Sequence, residues 1–436
     1  MKTAGIVCEY NPLHNGHIYH LNETRRLSGA DALVLAMSGN FVQRGEPAIL
    51  DKWERARLAV SAGADLVLEI PTLYCLADAG RYAKGGIGTL KALGICDFIS
   101  FGSESGDLES LSLIAERLAD NKEEIDKIIS QKKDLGLSFP TARELAYEKI
   151  FGDVSRASSK DAVEDAREEA NPDADKDANQ DANNGRNAEI PTSSNDILAI
   201  EYLKQISDSG LKPITVKRIG ASYNEELNAN LQFQSASAIR KALEKGEDVS
   251  PYVPADVLLK LNQARALGRF GKPAEERLFN LIRYAIISST AEQIDECPSG
   301  GEGLGNRIKE AVIKSDNLQD LLFASKSKRY TYTRLSRLSF QILLGMDRRM
   351  YDYETIPYIR ILAVSERGRE LLSIIKKKEL NSAPLLTNIN KNCNELSSYG
   401  KSVLDLDIKA VDIYNMICAR DLYKESDYCK RPYIKS

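Results

Sequence analysis

Short apolar segments alternate with helical patterns over the first hundred residues, and this alternation restricts the possible folds more than any other feature. Four of these segments have the length of buried strands, and they cover residues 4–8, 31–37, 66–70 and 98–101. Helical spacing separates them, over residues 16–27, 52–62 and 77–93. Buried strands that alternate with helices form a parallel sheet covered on both faces. The sequence therefore predicts a doubly wound α/β domain.

All three histidines of this 436-residue chain lie within seven residues, directly after the first predicted strand. They are His14, His17 and His20, within the sequence CEYNPLHNGHIYH. At a strand end that leads into a helix, backbone N–H groups favour a phosphate, and Gly16 leaves room for its close approach. Imidazoles can donate hydrogen bonds to phosphoryl oxygens in a transition state. The cluster therefore predicts nucleotidyl transfer to or from ATP; unrelated surface histidines are the alternative.

The α/β pattern is interrupted by an acidic segment. Residues 153–190 contain 11 acidic and 5 basic residues, few large aliphatic side chains and no aromatic ones. Such a segment cannot bury enough apolar surface to offset its ordering entropy, so we predict a disordered insertion that is either a passive spacer or a regulatory segment. Helical and strand patterns return over 194–204 and 213–219, with Ser194 as the expected helix N-cap. We therefore assign residues 1–250 to one α/β domain.

Strand patterns fade after residue 251, and we predict a mostly helical domain over 251–436. This part has 30 Lys and Arg residues against 23 Asp and Glu residues, whereas the whole chain has a net charge of −4. Its segment 326–337 combines two tyrosines with five cations, which are Lys326, Lys328, Arg329, Arg334 and Arg337. Cations that bind phosphates and rings that stack on bases favour RNA binding. A solvated helix face is the alternative.

Cysteine usage and hydropathy indicate the compartment. The seven cysteines are scattered and include no Cys-x-x-Cys pair, which favours a reducing environment over a disulfide framework or a structural zinc site. No apolar run has the length needed to cross a bilayer. We therefore expect a cytoplasmic protein without a membrane partner, and the sequence indicates no obligate protein partner.

Two motifs of the α/β part indicate a nucleotidyltransferase. The sequence HNGH at 14–17 resembles the H-x-G-H signature of nucleotidyltransferases related to class I aminoacyl-tRNA synthetases. The sequence SASAIR at 235–240 resembles the element with which that superfamily holds nucleotide phosphates, and Arg240 suits this role. Plain N-capping by the serines and a solvated Arg240 are the alternatives. The absence of P-loop and Gly-x-Gly-x-x-Gly patterns disfavours other nucleotide-binding classes.

Four longer segments are similar to one family. They read GIVCEYNPLHNGH from residue 5, MSGNFVQRGEPA from residue 37, NDILAIEYLK from residue 195 and KRYTYTRLSR from residue 328. Together they resemble the bacterial tRNA(Met) cytidine acetate ligases over nearly the whole chain, except residues 153–190. The resemblance implies a nucleotidyltransferase-like α/β domain and a two-step reaction. Acetate and ATP give acetyl-adenylate and pyrophosphate, and the acetyl group then passes to N4 of the wobble cytidine in elongator tRNA(Met).

The resemblance also implies where ATP binds. The implied residues are Val7, Cys8, Glu9, Tyr10, Asn11, Pro12, Leu13, His14, Asn15, Gly16, His17, Ile18, Tyr19, His20, Gly102, Asn195 and Arg218, together with Ser235, Ser237 and Arg240 of the phosphate element. We expect His14 and His17 to stabilise the transition state, and His20 to belong to the binding site without a catalytic role. Three of these assignments have alternatives. Lys217 could bind ATP in place of Arg218, and Asn195 could cap a helix instead of binding ATP. Gly102 could be an ordinary turn glycine.

Metal and substrate contacts are less defined. No carboxylate pattern for a metal site is evident, so we expect Mg²⁺ to be carried by the ATP phosphates, and no organic prosthetic group. Asn40, Gln43 and Arg44 follow the second predicted strand and are candidates for binding acetate or the cytosine of tRNA; a structural loop is the alternative.

Two other function classes remain open from the residues alone. A small-molecule adenylyltransferase of the H-x-G-H superfamily needs no large basic helical domain, so the long stretch after residue 251 counts against it. A non-catalytic RNA-binding protein with a relic nucleotide site is disfavoured because His14, Gly16, His17 and Arg240 are all present. The sequence thus favours an ATP-dependent ligase that modifies tRNA.

Overall fold

The structure is a computed structural model that describes residues 1–137, 139–151, 193–219, 227, 233–327, 329–353 and 355–435. The insertion predicted at 153–190 and the predicted tRNA-binding residue Lys328 lie outside the described residues. The strands in the described part are β1 (Thr3–Cys8), β2 (Ala32–Ser38), β3 (Phe41–Val42), β4 (Glu46–Pro47), β5 (Leu66–Ile70), β6 (Phe98–Ser103), β7 (Lys212–Lys217), β8 (Ile359–Val364), β9 (Leu385–Leu386) and β10 (Tyr433–Ile434).

Helices connect and cover these strands, and most of them lie in the second half of the chain. In the α/β part they are α1 (Asn15–Ser28), α2 (Lys52–Ser61), α3 (Thr72–Cys75), α4 (Ala79–Leu93), α5 (Leu108–Asp120), α6 (Lys122–Asp134), α7 (Phe139–Phe151), α8 (Ser194–Ile206) and α9 (Ala236–Lys245). After it they are α10 (Ala255–Ala266), α11 (Lys272–Ser288), α12 (Ala291–Asp295), α13 (Leu304–Ile313), α14 (Leu318–Ser325), α15 (Tyr332–Leu344), α16 (Glu366–Lys378), α17 (Ile389–Asn392) and α18 (Ser398–Ile417).

The central sheet has the strand order β10-β8-β5-β2-β1-β6-β7, and β9 pairs with β8. The strands β5, β2, β1, β6 and β7 run parallel to one another, which confirms the predicted doubly wound sheet. From β1 the chain adds β2 and β5 on one side and then returns to add β6 and β7 on the other. The strand order therefore reverses between β1 and β6, where sheets of this kind bind ligands beyond the carboxyl ends.

Strand β8 joins this sheet from the part of the chain after residue 251, which we predicted to be mostly helical. It runs antiparallel to β5 and is buried along its whole length, and the sequence pattern does not indicate it. Its apolar run is short and contains Arg360, so neither the strand period nor the helix period dominates the pattern. A short apolar run of this kind is ambiguous without its partner strand, which lies about 290 residues earlier in the chain.

A cluster of buried charges, formed by Lys52, Glu69, Arg360 and Asp427, joins the two parts of the chain beneath the sheet edge. The Lys52 Nζ lies 2.7 Å from Glu69 Oε1 and 2.7 Å from Asp427 Oδ2. The Arg360 Nη1 donates to Asp427 Oδ2 at 2.6 Å. Burial raises the pKa of Glu69 to about 7, although the two cations oppose this shift. We call these four residues the buried ion cluster.

None of the helices in the described part is both long and apolar enough to cross a membrane. The sheet and the helices around it instead bury apolar side chains in two clusters, one on each face of the sheet. Both clusters include residues from before and after residue 251, such as Leu68 with Leu338 and Val67 with Leu362. The helices after residue 251 thus share their core with the α/β part.

Candidate active site

A cavity of about 470 Å³ lies at the carboxyl ends of β1, β6 and β7, where the strand order reverses. The amino-terminal ends of α1, α8 and α9, the loop after β2 and the start of α15 complete its walls. Most of the predicted ATP-binding residues line it, namely Val7, Cys8, Glu9, Tyr10, Asn11, His14, Gly16, His17, Tyr19, His20, Gly102, Asn195, Arg218, Ser235 and Arg240. Residues from five separate segments therefore converge on one cavity.

Five predicted residues do not line the cavity, and they are Pro12, Leu13, Asn15, Ile18 and Ser237. Leu13 is buried in the apolar core, and Ile18 packs against the same core. The Asn15 amide donates to the backbone carbonyl of Pro251 at 3.0 Å. Pro12, Leu13, Asn15 and Ile18 belong to one continuous segment, which alternates between the cavity and the core, whereas Ser237 lies on α9.

His14 and His17 form a capping box at the start of α1. The His14 Nδ1 accepts from the backbone N–H of Gly16 at 3.1 Å, and the His17 Nδ1 accepts from the backbone N–H of His14 at 3.3 Å. The two rings stack with their centroids 3.7 Å apart. A ring nitrogen that accepts carries no proton, so in the neutral rings the proton is on Nε2. Within the described residues neither Nε2–H has a partner, and both are available to a ligand in the cavity.

The environment keeps all three histidines neutral near pH 7. Burial, with a smaller contribution from Arg218, lowers the pKa of His14 to about 3 and that of His20 to about 4. Burial also lowers the pKa of His17 well below its usual value, and His14 and Arg218 add to this shift. A neutral ring carries no positive charge, but its N–H group can still donate a hydrogen bond.

His20 has a different role from the other two histidines. Its Nε2 lies 3.1 Å from the Ser100 Oγ of β6, and that hydroxyl is also 2.7 Å from the Thr24 Oγ1. The ring thus connects α1 to β6 beside the point where the strand order reverses. His20 therefore uses its Nε2 for a contact within the protein, whereas the Nε2 atoms of His14 and His17 have no partner among the described residues.

The phosphate element lies at the start of α9. Ser235 is the N-cap of this helix, and its Oγ accepts from the backbone N–H of Ala238 at 3.2 Å and lies 3.1 Å from the Ser237 Oγ. Arg240 pairs with Glu46 at 2.5 Å and donates to the backbone carbonyl of Asn11 at 2.6 Å. Arg240 is therefore not a solvated helix residue, since it connects α9 to the turn that contains the histidines.

Two of the predicted residues meet at the carboxyl end of β6. The Asn195 amide donates to the Glu104 carboxylate, and Arg218 approaches the same carboxylate at 3.8 Å. The N-cap of α8 is Ser193 rather than the expected Ser194, because the Ser193 Oγ accepts from the backbone N–H of Asp196. Sequence reasoning placed the cap one residue late, since two adjacent serines fit the capping pattern equally well.

The loop after β2 forms the opposite wall. Gln43 lines the cavity, and its backbone N–H donates to Glu9 Oε1 at 2.8 Å while its side chain donates to the carbonyl of Ala77. Arg44 also lines the cavity and donates to Ser194 Oγ at 3.1 Å. Asn40 is buried outside the cavity, where its Oδ1 accepts from the backbone N–H of Lys52 at 2.8 Å. Of the three candidates in this loop, Asn40 therefore has a structural role.

The structure separates the basic segment into two groups. Arg329 and Arg334 both face Glu302, and Arg334 also donates to the carbonyls of Ser299 and Gly300. Arg337 lies instead on the wall of the cavity, together with Thr333 one turn earlier on α15. The Lys326 ammonium is 4.6 Å from the centre of the Tyr332 ring. The segment thus extends from the protein surface into the cavity.

Sequence reasoning missed several lining residues, which are Glu46, Tyr82, Tyr202 and Thr333. Tyr82 and Tyr202 lie on helix faces that otherwise pack into the core, so their positions look like ordinary apolar positions. Glu46 and Thr333 lie within two of the segments that resemble the family, but their place in the cavity depends on how those segments pack, as the ion pair of Glu46 with Arg240 shows.

The carboxylates of the cavity are bonded to other groups, since Glu9 accepts from Gln43 and Glu46 pairs with Arg240. Among the described side chains, no three His, Cys, Asp or Glu residues lie close enough together to hold a metal ion. The described residues therefore form no cluster that would hold Mg²⁺ by protein ligands alone.

Known proteins resemble this chain over its full length. The family model of the HIGH Nucleotidyl Transferase matches residues 1–428. The tRNA(Met) cytidine acetate ligase of Caldanaerobacter subterraneus subsp. tengcongensis is 37% identical over 100% of both chains. The enzyme of the same name from Acetivibrio thermocellus is 36% identical over 98% of this chain and 97% of its own.

The chain belongs to the tRNA(Met) cytidine acetate ligase family.

Solved structures of this family have the same fold. Thermotoga maritima TmcAL without ligand superposes with a TM-score of 0.82, at 29% identity, over 100% of this chain and 99% of that chain. The same protein bound with alpha-thio ATP gives a TM-score of 0.80 at 30% identity over the same shares. The resemblance inferred from the sequence motifs is confirmed, and so is the α/β fold with its helical remainder.

Proposed function

We propose that this protein is an ATP-dependent ligase that activates acetate as acetyl-adenylate and transfers the acetyl group to N4 of the wobble cytidine in elongator tRNA(Met). The observation that carries the proposal is full-length similarity to ligases of that name, combined with a cavity that collects the H-x-G-H histidines. ATP is the nucleotide for this cavity, because a family member with 30% identity has been solved with an ATP analogue.

The first step joins acetate to the adenylyl group. A carboxylate oxygen of acetate forms a bond to the α-phosphorus, and pyrophosphate leaves with the electrons of the broken P–O bond. Negative charge builds on the oxygens around phosphorus, and the Nε2–H groups of His14 and His17 donate to them. Both donors are fixed before ATP arrives, since their Nδ1 atoms are held by backbone N–H groups. Such preorganised donors avoid reorganisation at the moment of reaction.

The second step moves the acetyl group to RNA. The N4 amine of cytidine attacks the acetyl carbonyl, the bond to the phosphate oxygen breaks, and AMP leaves as the amine loses a proton. We propose that the cytidine enters past the start of α15, where the basic segment 326–337 connects the surface to the cavity. Lys326, Lys328, Arg329 and Arg334 remain our candidates for contact with tRNA, although the internal bonds of Arg334 make it the weakest of them as a phosphate ligand. Arg337, which was predicted with them, lines the cavity itself.

Cofactor and compartment follow from the same reaction. We propose that Mg²⁺ enters on the triphosphate, because the described residues form no site of their own for it. A reaction that needs ATP and tRNA together belongs in the cytoplasm, which agrees with scattered free cysteines.

The test uses purified protein, ATP, labelled acetate and total tRNA. We expect label in the RNA and, after digestion to nucleosides, on N4-acetylcytidine alone. Label must depend on ATP, and AMP and pyrophosphate must appear in equal amounts. Binding of ATP without label on cytidine contradicts the proposal, and transfer of AMP to a small phosphate-bearing acceptor indicates the alternative adenylyltransferase.

A further inference from the structure

Arg337 differs from the other arginines of the cavity because its guanidinium is bonded to none of the residues that the structure describes. Arg218 and Arg240 each face a carboxylate, and Arg44 donates to a serine hydroxyl. Arg337 has no hydrogen bond or ion pair from its side chain within the described residues, and its Nε is enclosed without a partner. The guanidinium of this half-buried arginine keeps its donors for an anion, which the working enzyme can receive as a substrate.

The position of Arg337 is fixed by the contact between α15 and the loop after β2. The Ser336 hydroxyl donates to the carbonyl of Gly45 at 2.5 Å. A Cβ on Gly45 would lie 2.5 Å from the backbone nitrogen of Arg337, so only glycine permits this approach. Thr333 lies one turn earlier on the same helix face and also lines the cavity. The backbone of Arg337 is thus held against the β2 loop, and its side chain lines the same cavity as the histidines.

The cavity has arginines in two places. Arg218 follows β7 and faces Glu104 at the carboxyl end of β6, so a carboxylate lies beside its charge there. Arg337 lies at the end formed by the β2 loop, and its charged neighbours there are Arg44, Arg334 and Asp78. Two of these three are positive, so a small anion between them and the histidines is favoured.

We propose that Arg337, with Thr333 beside it, binds the carboxylate of acetate and orients it toward the α-phosphorus of ATP. The inference rests on the proposed function and assigns the residue that recognises its smallest substrate. A guanidinium fits a carboxylate because its donors form a planar fork. Each acetate oxygen accepts from one arm of this fork, and a remaining lone pair of one oxygen forms the bond to phosphorus as pyrophosphate leaves. The alternative anion is a tRNA phosphate, but RNA backbones approach from the surface, whereas the Arg337 Nε is enclosed.

The experiment measures acetyl-adenylate formation without tRNA, with hydroxylamine present to trap it as acetyl hydroxamate. In the Arg337→Gln variant we expect the KM for acetate to rise at least tenfold, while the KM for ATP changes less than twofold. Arg337→Lys keeps the charge but not the fork, and we expect an intermediate KM. The matched control is Arg349→Gln, because Arg349 is exposed and pairs only with Asp347 among the described residues; its KM values stay at those of the wild type.

Measurements of stability and of tRNA binding distinguish an acetate ligand from a tRNA phosphate ligand and from a structural residue. Removal of a charge without a partner should leave the Tm of Arg337→Gln equal to or above that of the wild type. An unchanged KM for acetate in Arg337→Gln overturns the inference. If the KM for tRNA rises at the same time, Arg337 is a ligand of a tRNA phosphate instead. A lowered Tm with parallel losses for ATP and acetate makes Arg337 structural. If the wild type itself forms no hydroxamate, the proposed function fails instead.

Discussion

His14 combines a structural contact and a chemical one, and the two can be separated by one substitution. Its Nδ1 caps α1, whereas its Nε2–H is directed to ligands of the cavity. Asparagine is among the best N-cap residues, but its amide ends near the position of Nδ1 and has no group in place of Nε2. We therefore expect His14→Asn to keep the fold and to lose the donor, while His14→Ala loses both.

The expected magnitudes differ enough to be measured. Loss of one preorganised donor to a transition state lowers the rate by about 10²–10³, or about 2.7–4 kcal/mol. Loss of an N-cap lowers the free energy of unfolding by about 0.5–2 kcal/mol. In urea unfolding, His14→Asn should remain near the wild type and His14→Ala should fall below it by that amount. In the hydroxylamine assay both variants should lose about 10²–10³ in kcat/KM.

The reasoning is refuted if His14→Asn forms acetyl-adenylate within about threefold of the wild-type rate. In that case Nε2 has no part in the transition state, and the histidine is only a cap. Equal stability of the two variants would show instead that the Nδ1 contact with Gly16 contributes nothing.

Three further predictions test the rest of the structure. The histidine pKa values lie below the usual 6.5 in the folded state, so the unfolded chain binds more protons below that pH. The free energy of unfolding should therefore fall between pH 6.5 and 5, by up to about 1.4 kcal/mol per pH unit for each histidine. A urea midpoint that stays constant over this range would contradict the prediction. Lys52→Met leaves buried carboxylates short of a counter-charge and should cost about 3–5 kcal/mol in urea unfolding, against less than about 0.5 kcal/mol for the exposed Lys377→Met. Arg329→Ala should weaken tRNA binding and reduce its log–log salt slope by about 1, with tRNA-independent hydroxamate formation as the internal reference; an unchanged slope excludes a phosphate contact.

The α/β part of the fold was predictable because its signals are local. Strands β1, β2 and β5 are buried on both faces, so they appear as continuous apolar runs with helices between them. The position of the histidine cluster at the carboxyl end of β1 was predictable for the same reason, since its strand, turn and helix are adjacent in sequence. Strand β8 was not predictable, because its partner β5 is distant in the chain and the charge of Arg360 is neutralised only by residues that fold against it.

The candidate site shows the same limit at the level of single residues. The sequence identified Arg240 and Arg337 as cations but could not show that one pairs with Glu46 and the other pairs with no described residue. It also treated the basic segment as one surface, whereas helix α15 turns Arg334 toward internal carbonyls and Arg337 toward the cavity. Residues four apart on a helix share a face, but only the packing of that helix decides what the face meets.

Strand β8 and the buried ion cluster also restrict how this enzyme can evolve. A chain that ends before the helical part would leave β5 with an open edge and Lys52 without Asp427. The α/β part, which contains the site for acetate activation, therefore depends on the rest of the chain. Splitting the gene between the two parts would not give a separate acetate-activating enzyme. The part of the chain that we propose to contact tRNA is therefore inherited together with the adenylate-forming site. Every protein molecule that can form the reactive acetyl-adenylate also has the part that can transfer its acetyl group to RNA.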